Sequence, residues 1–90
     1  MTTDSFSIEA PVSTGEPFRL EFPRNIFQFI IVVDGAVSVI PVLTEIPTTS
    51  LTGKAAVNSG DTLELLETGS KFVLIRSTGA ASAVRLWVTY

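Results

Sequence analysis

Apolar and polar residues alternate with a period of two over most of the chain. Phe6, Ile8 and Ala10 alternate with Ser5, Ser7 and Glu9, and Phe18, Leu20 and Phe22 alternate with Arg19 and Glu21. Each pattern predicts a strand with one buried face, because successive side chains of a strand point to opposite sides. Pro11, Gly15 and Pro17 punctuate the turn between them. The run from Phe27 to Val33 meets Asp34-Gly35 and resumes as Ala36 to Ile40. An Asp-Gly pair between such runs predicts a two-residue type I′ hairpin. Ile30 to Val33 is apolar on both faces, which places this strand in the middle of a sandwich or at a subunit contact. Pro41 cannot donate to a ladder, so the second strand ends there, bulges, or lies at an edge.

Residues 44–58 read as a long connection marked by Pro47, Thr48, Thr49, Ser50 and Gly53, with room for a short strand at Lys54 to Val57. Ser59-Gly60-Asp61 predicts a turn into Thr62 to Leu66. Glu67 to Ser70 predicts a second hairpin turn before Lys71 to Arg76, and Thr78 to Ser82 turns into a last strand, Ala83 to Tyr90. The only helix candidate, Asp61 to Thr68, is short and falls inside this strand rhythm. About seven or eight strands with turn signals roughly 8 to 12 residues apart predict an all-β fold, an antiparallel β-sandwich or small barrel of jelly-roll or Ig-like type. The 90 residues make one domain, with residues 1–16 expected to form an extended arm plus an edge strand.

Composition changes this picture in one respect. Apolar residues make up 46% of the chain and charged residues only 17%, against about 25% charged in average proteins. The chain has no cysteine and no histidine, so disulfides, thiolate metal sites and the commonest metal ligand are missing from a domain too small for a deep core. Contact with another chain is the remaining source of extra stability. Net charge is −3, with six basic residues scattered singly; nucleic acid is not an expected partner. The longest apolar approach, Phe27 to Leu43, is interrupted by Gln28, Asp34, Gly35, Ser38 and Pro41, so no membrane span is expected. Met1 to Ala10 lacks the basic and apolar regions of a secretory signal, which predicts synthesis in a cytoplasm.

No catalytic pattern stands out. Without histidine or cysteine a nucleophile would depend on lysine or carboxylate, and Lys54 and Lys71 sit in no spacing motif. Glu64 and Glu67, three apart on a strand, would point to opposite faces rather than across one cleft. Asp34, Asp61, Glu64 and Glu67 are too scattered for a calcium loop, so no metal or cofactor is expected. Ser59-Gly60-Asp61-Thr62-Leu63 resembles the glycine-aspartate turn of cupin-like double-stranded β-helices, but the metal-binding histidines of that family are absent. On the last strand Trp87 shares a face with Arg85 and Thr89, and Tyr90 shares the other with Val84, Leu86 and Val88. If the latter set is buried, Trp87 is exposed.

A short, cysteine-free and histidine-free all-β chain rich in Thr, Ser, Val and Ala resembles the small virion proteins of bacteriophages, such as capsid decoration or cement proteins and fibre modules. The resemblance implies a structural protein of the virion, made in the host cytoplasm, that pairs with itself or with a capsid protein. Phe6, Ile8, Phe18, Phe27, Phe29, Ile31, Trp87 and Tyr90 are the expected contact residues. The alternative is a carbohydrate- or receptor-binding module that uses Trp87 and Tyr90. An enzyme is the least favoured class.

Overall fold

The computed structural model describes residues 1–45, 48–51 and 53–90; Pro47, expected in the long connection, lies outside them. Among the described residues there is no helix, and seven strands form: β1 (Thr3–Ala10), β2 (Phe18–Glu21), β3 (Gln28–Val33), β4 (Val39–Val42), β5 (Thr62–Leu66), β6 (Phe72–Ser77) and β7 (Ser82–Thr89). The helix candidate at Asp61 to Thr68 is thus mostly strand β5. Sheet A has the order β1-β7-β3-β5 and sheet B the order β2-β6-β4, all antiparallel.

Odd-numbered strands lie in one sheet and even-numbered strands in the other, so every connection crosses the sandwich. The pairs β1 with β7, β2 with β6 and β3 with β5 nest around β4 like a folded ribbon, and β3 with β7 and β4 with β6 close the roll. This is the jelly-roll arrangement of a β-sandwich, which usually has eight strands. Among the described residues the eighth strand is missing between β4 and β5. Its place on the edge of β4 is marked by a single bridge between Val39 and Val57, all that forms of the short strand expected at Lys54 to Val57.

The two predicted hairpins do not exist. Asp34-Gly35 leads from sheet A to sheet B, as Glu67 to Ser70 leads from β5 to β6. Gly35 does not adopt positive φ; it is glycine because the chain passes against β7. A Cβ there would meet the Ala83 nitrogen at 2.6 Å, and the amides of Asp34 and Gly35 both donate to the Ala83 carbonyl at 2.9 Å. At the other crossing Glu67 and Gly69 take positive φ, 50° and 68°. Here too the crossings bond backbone to backbone, Ile26 N to Ser70 O (2.7 Å) and Phe22 N to Lys71 O (2.9 Å), and three buried serines add side-chain bonds. The Ser70 hydroxyl donates to Thr44 O (2.6 Å), that of Ser77 to Ala80 O (2.5 Å) and that of Ser82 to Val37 O (2.7 Å). No buried side-chain nitrogen or oxygen among the described residues lacks a partner.

The core lies between the sheets. Phe29, Ile31 and Val33 of β3 and Val84, Leu86 and Val88 of β7 face Val39, Val73 and Ile75 across it. β1 is no free arm. It is an edge strand whose Phe6 and Ile8 pack on the core from its margin. Pro41 lies on the edge strand β4. Val39 gives both its backbone groups to Val57, on the side away from β6, and Pro41, two residues on, turns its nitrogen to the same open side. No ladder bond is lost.

Gly35→Ala is expected to lower stability by at least about 2 kcal/mol, because the backbone atoms Ala83 N and Ser82 Cα, as well as the Ser82 hydroxyl, block the added methyl. A Gly60→Ala control, at φ +81° with open space around it, should cost only about 1 kcal/mol. Urea midpoints of the two variants measure the difference.

Candidate functional site: the outer face of sheet A

The two outer faces of the sandwich differ. On sheet B, Phe72 and Leu74 project outward by register yet are buried, as is Leu51 from the connection after β4. That connection crosses the sheet: Arg76 Nη1 donates to Thr49 O (3.4 Å) and to Gly15 O (3.3 Å). Thr48, Thr49, Glu16, Pro17, Arg19 and Leu74 line an open cleft of about 500 Å³ there. Its one cation is engaged elsewhere, since Arg19 pairs with Glu21 (3.6 Å) and lies over the Phe72 ring (5.2 Å). None of the described residues lining that cleft converges on a ligand.

No segment among the described residues crosses the outer face of sheet A. Ile30 and Val32 of the interior strand β3 point outward and are only half-buried. Ile30 sits opposite Trp87 on β7, and Val32 opposite Arg85. Two polar pairs flank this apolar centre. Arg85 donates to Asp34 through Nε (2.6 Å) and Nη2 (3.0 Å), and Gln28 Nε2 donates to Glu64 Oε2 (2.7 Å). The Asp34 carboxyl titrates below its ordinary value because it accepts these bonds from Arg85, and Arg85 is raised in turn. So held, the guanidinium lies over the Trp87 ring, 5.5 Å from its centroid.

The expected contact residues divide into three groups. Trp87 lies on the open face and is half-buried, while Phe27 is 41% exposed beside Leu65 (37%) and Leu66 (57%) at one end of β3 and β5. Phe6, Ile8 and Phe18 are half-buried on the inner faces of the edge strands β1 and β2. Phe29 and Ile31 are fully buried in the core, so neither is available to a neighbour; alternation put them on the inner face of a two-sided apolar strand. Tyr90 closes one end of the core. Its ring packs on Phe22 at 5.0 Å, its hydroxyl donates to Asp4 Oδ2 (2.7 Å), and Arg24 lies 5.6 Å over it. The Asp34–Arg85 pair escaped the sequence, where Asp34 reads as a turn residue, and so did the exposure of Leu65 and Leu66.

Lys71 pairs with Glu21 (3.4 Å), and Lys54 is exposed in the connection. Among the described residues no group of three or more His, Cys, Asp or Glu comes together to hold a metal, and no helix is long and apolar enough to cross a membrane. No protein-family profile matches the chain, and no curated protein matches its sequence.

Tyr90 is the sole tyrosine, so phenolate absorbance reports it directly. Its hydrogen bond to Asp4, then its burial, raise its ionisation above the ordinary value of 10.0. Because the folded value is the higher one, this contribution to stability is complete below about pH 10 and is lost as pH rises through the folded value. Asp4→Ala should move the absorbance midpoint back towards the ordinary phenol.

Proposed function

We propose that this protein is a non-enzymatic assembly module, a virion component of the decoration or cement type, that docks on a neighbouring protein through the outer face of sheet A. One observation carries the reading: the described residues cover one outer face of the sandwich with the connection after β4 and leave the other uncrossed, with Ile30, Val32 and Trp87 at its centre. An apolar centre ringed by satisfied polar pairs is the anatomy of a protein interface, and tryptophan and arginine are the residues most often dominant in one. Jelly rolls also build capsid proteins and lectins, an analogy of fold that supports both docking and sugar binding.

Glycan recognition is the second reading, favoured by Trp87 among hydrogen-bonding side chains. Against it, Arg85 is clamped by Asp34 over the indole ring, where a sugar would stack. Docking needs no such vacancy.

Co-sedimentation with shells purified without the protein tests the proposal. The wild type should travel with the shells, and Ile30→Asp and Trp87→Ala should each weaken binding by about 2 kcal/mol or more, tenfold or beyond. Lys54→Ala, away from this face, should bind normally. Failure to bind shells, together with glycan-array binding that Trp87→Ala abolishes, would replace this reading with the second.

A further inference from the structure

The four sheet edges are not equally defended. β2 has four residues, lies between Pro17 and Pro23, and carries Arg19 and Glu21. β4 contains Pro41 and is bridged by Val57. β5 has five residues, and Glu64 at its midpoint would sit opposite itself in a centred pairing with a second copy. β1 is different. It runs for eight residues without proline, lysine or arginine, although edge strands are usually blunted by such devices.

The backbone of β1 fixes what could pair with it. Thr2 and Tyr90 exchange both hydrogen bonds, at 2.8 and 2.9 Å. Bonded and non-bonded pairs alternate along an antiparallel ladder, so Asp4, Phe6, Ile8 and Ala10 turn their amides and carbonyls towards β7. Those of Thr3, Ser5, Ser7 and Glu9 face the open edge, where no strand among the described residues meets them. An antiparallel two-fold centred on Ser7 matches these groups to themselves. Ser7 exchanges both bonds with Ser7 of the second copy, and Ser5 with Glu9 of the second copy, twice over. The same register sets Phe6 against Ile8 of the second copy on the inner side, where both are only half-buried. Asp4 falls opposite Ala10, away from the apolar pairs. No like charges meet.

We propose that β1 is a self-pairing edge, and that two copies join through it, centred on Ser7, into a dimer in which the two A sheets become one continuous eight-stranded sheet. The two Trp87 faces then look the same way, about 20 Å apart, so one dimer presents two docking faces to a lattice. The inference rests on the edge of sheet A and stands whether or not its outer face docks.

The absence of cysteine from the chain makes single-cysteine cross-linking a direct test. Ser7→Cys should form a disulfide dimer on mild oxidation, because the two Cα atoms lie about 5.5 Å apart in a bonded pair. Ser5→Cys should not, because its two copies lie about 14 Å apart along the strands. Light scattering should give a dimer mass for the wild type. Ser7→Lys, which opposes two ammonium groups at the axis, should weaken dimerisation at least tenfold while the near-ultraviolet dichroism of Trp87 stays native. A wild-type monomer at several hundred micromolar would overturn the proposal. So would a dimer that survives Ser7→Lys, or cross-linking of Ser5→Cys as fast as Ser7→Cys.

Discussion

Every connection in this protein must carry the chain from one sheet to the other, across a gap of about 10 Å. Because the strands alternate strictly between sheets, neighbouring crossings run side by side and bond backbone to backbone, as Phe22 N to Lys71 O (2.9 Å) and Ile26 N to Ser70 O (2.7 Å), and as Ser77 N to Pro11 O and Ser13 N to Gly79 O (both 2.8 Å). Ser70, Ser77 and Ser82 add side-chain partners for the carbonyls of Thr44, Ala80 and Val37 from buried positions. Gly35 meets the same constraint sterically, letting the chain pass against Ser82 and Ala83. Ser59 ties the connection into β5 back to that passage through its bond to Gly35 O (2.6 Å). Corners, more than strands, are where this fold is specified.

The strands themselves were legible in the sequence, because period-two alternation reports a half-buried face wherever it occurs. Which strand pairs with which was not. Asp34-Gly35 between two β-branched runs satisfies every local rule for a hairpin, yet glycine answers two different needs: a positive φ, or the absence of a side chain where another backbone comes close. Sequence position does not separate them. The same ambiguity made Glu67 to Ser70 look like a hairpin turn when it is a crossing with two residues at positive φ. Parity alone places Trp87 and Tyr90 on opposite faces, and the structure has Tyr90 against the core and Trp87 on the outer side. The surroundings of Trp87 were not legible, because they include Ile30 on β3 and an Arg85 held by Asp34, 51 residues away. Phe29 and Ile31 were misjudged as contacts for a related reason: a strand apolar on both sides does not say which side the chain itself will cover.

The missing eighth strand unites several features. Residues 48–51 lie over sheet B instead of joining it, with Leu51 buried there. With no full strand beside β4, Leu65 on the inner side of β5 is left 37% exposed, next to Phe27 and Leu66. A small domain without disulfides has little stability in reserve. Satisfied polar groups at the crossings and an aromatic closure of Phe6, Phe22 and Tyr90 at one end of the core take the part that covalent staples play in other domains of this size.

The position of β7 sets how the protein can be made. It lies between β1 and β3 and is hydrogen-bonded to both, so until residues 82–89 leave the ribosome sheet A has a gap at its centre. A nascent chain at that stage holds β1, β3 and β5 with their apolar faces unclosed. Contacts so distant in sequence are slow to form, and unpaired strands are the state from which chains aggregate. Closure of sheet A is expected to wait for β7, with yield set by how quickly that strand finds its slot.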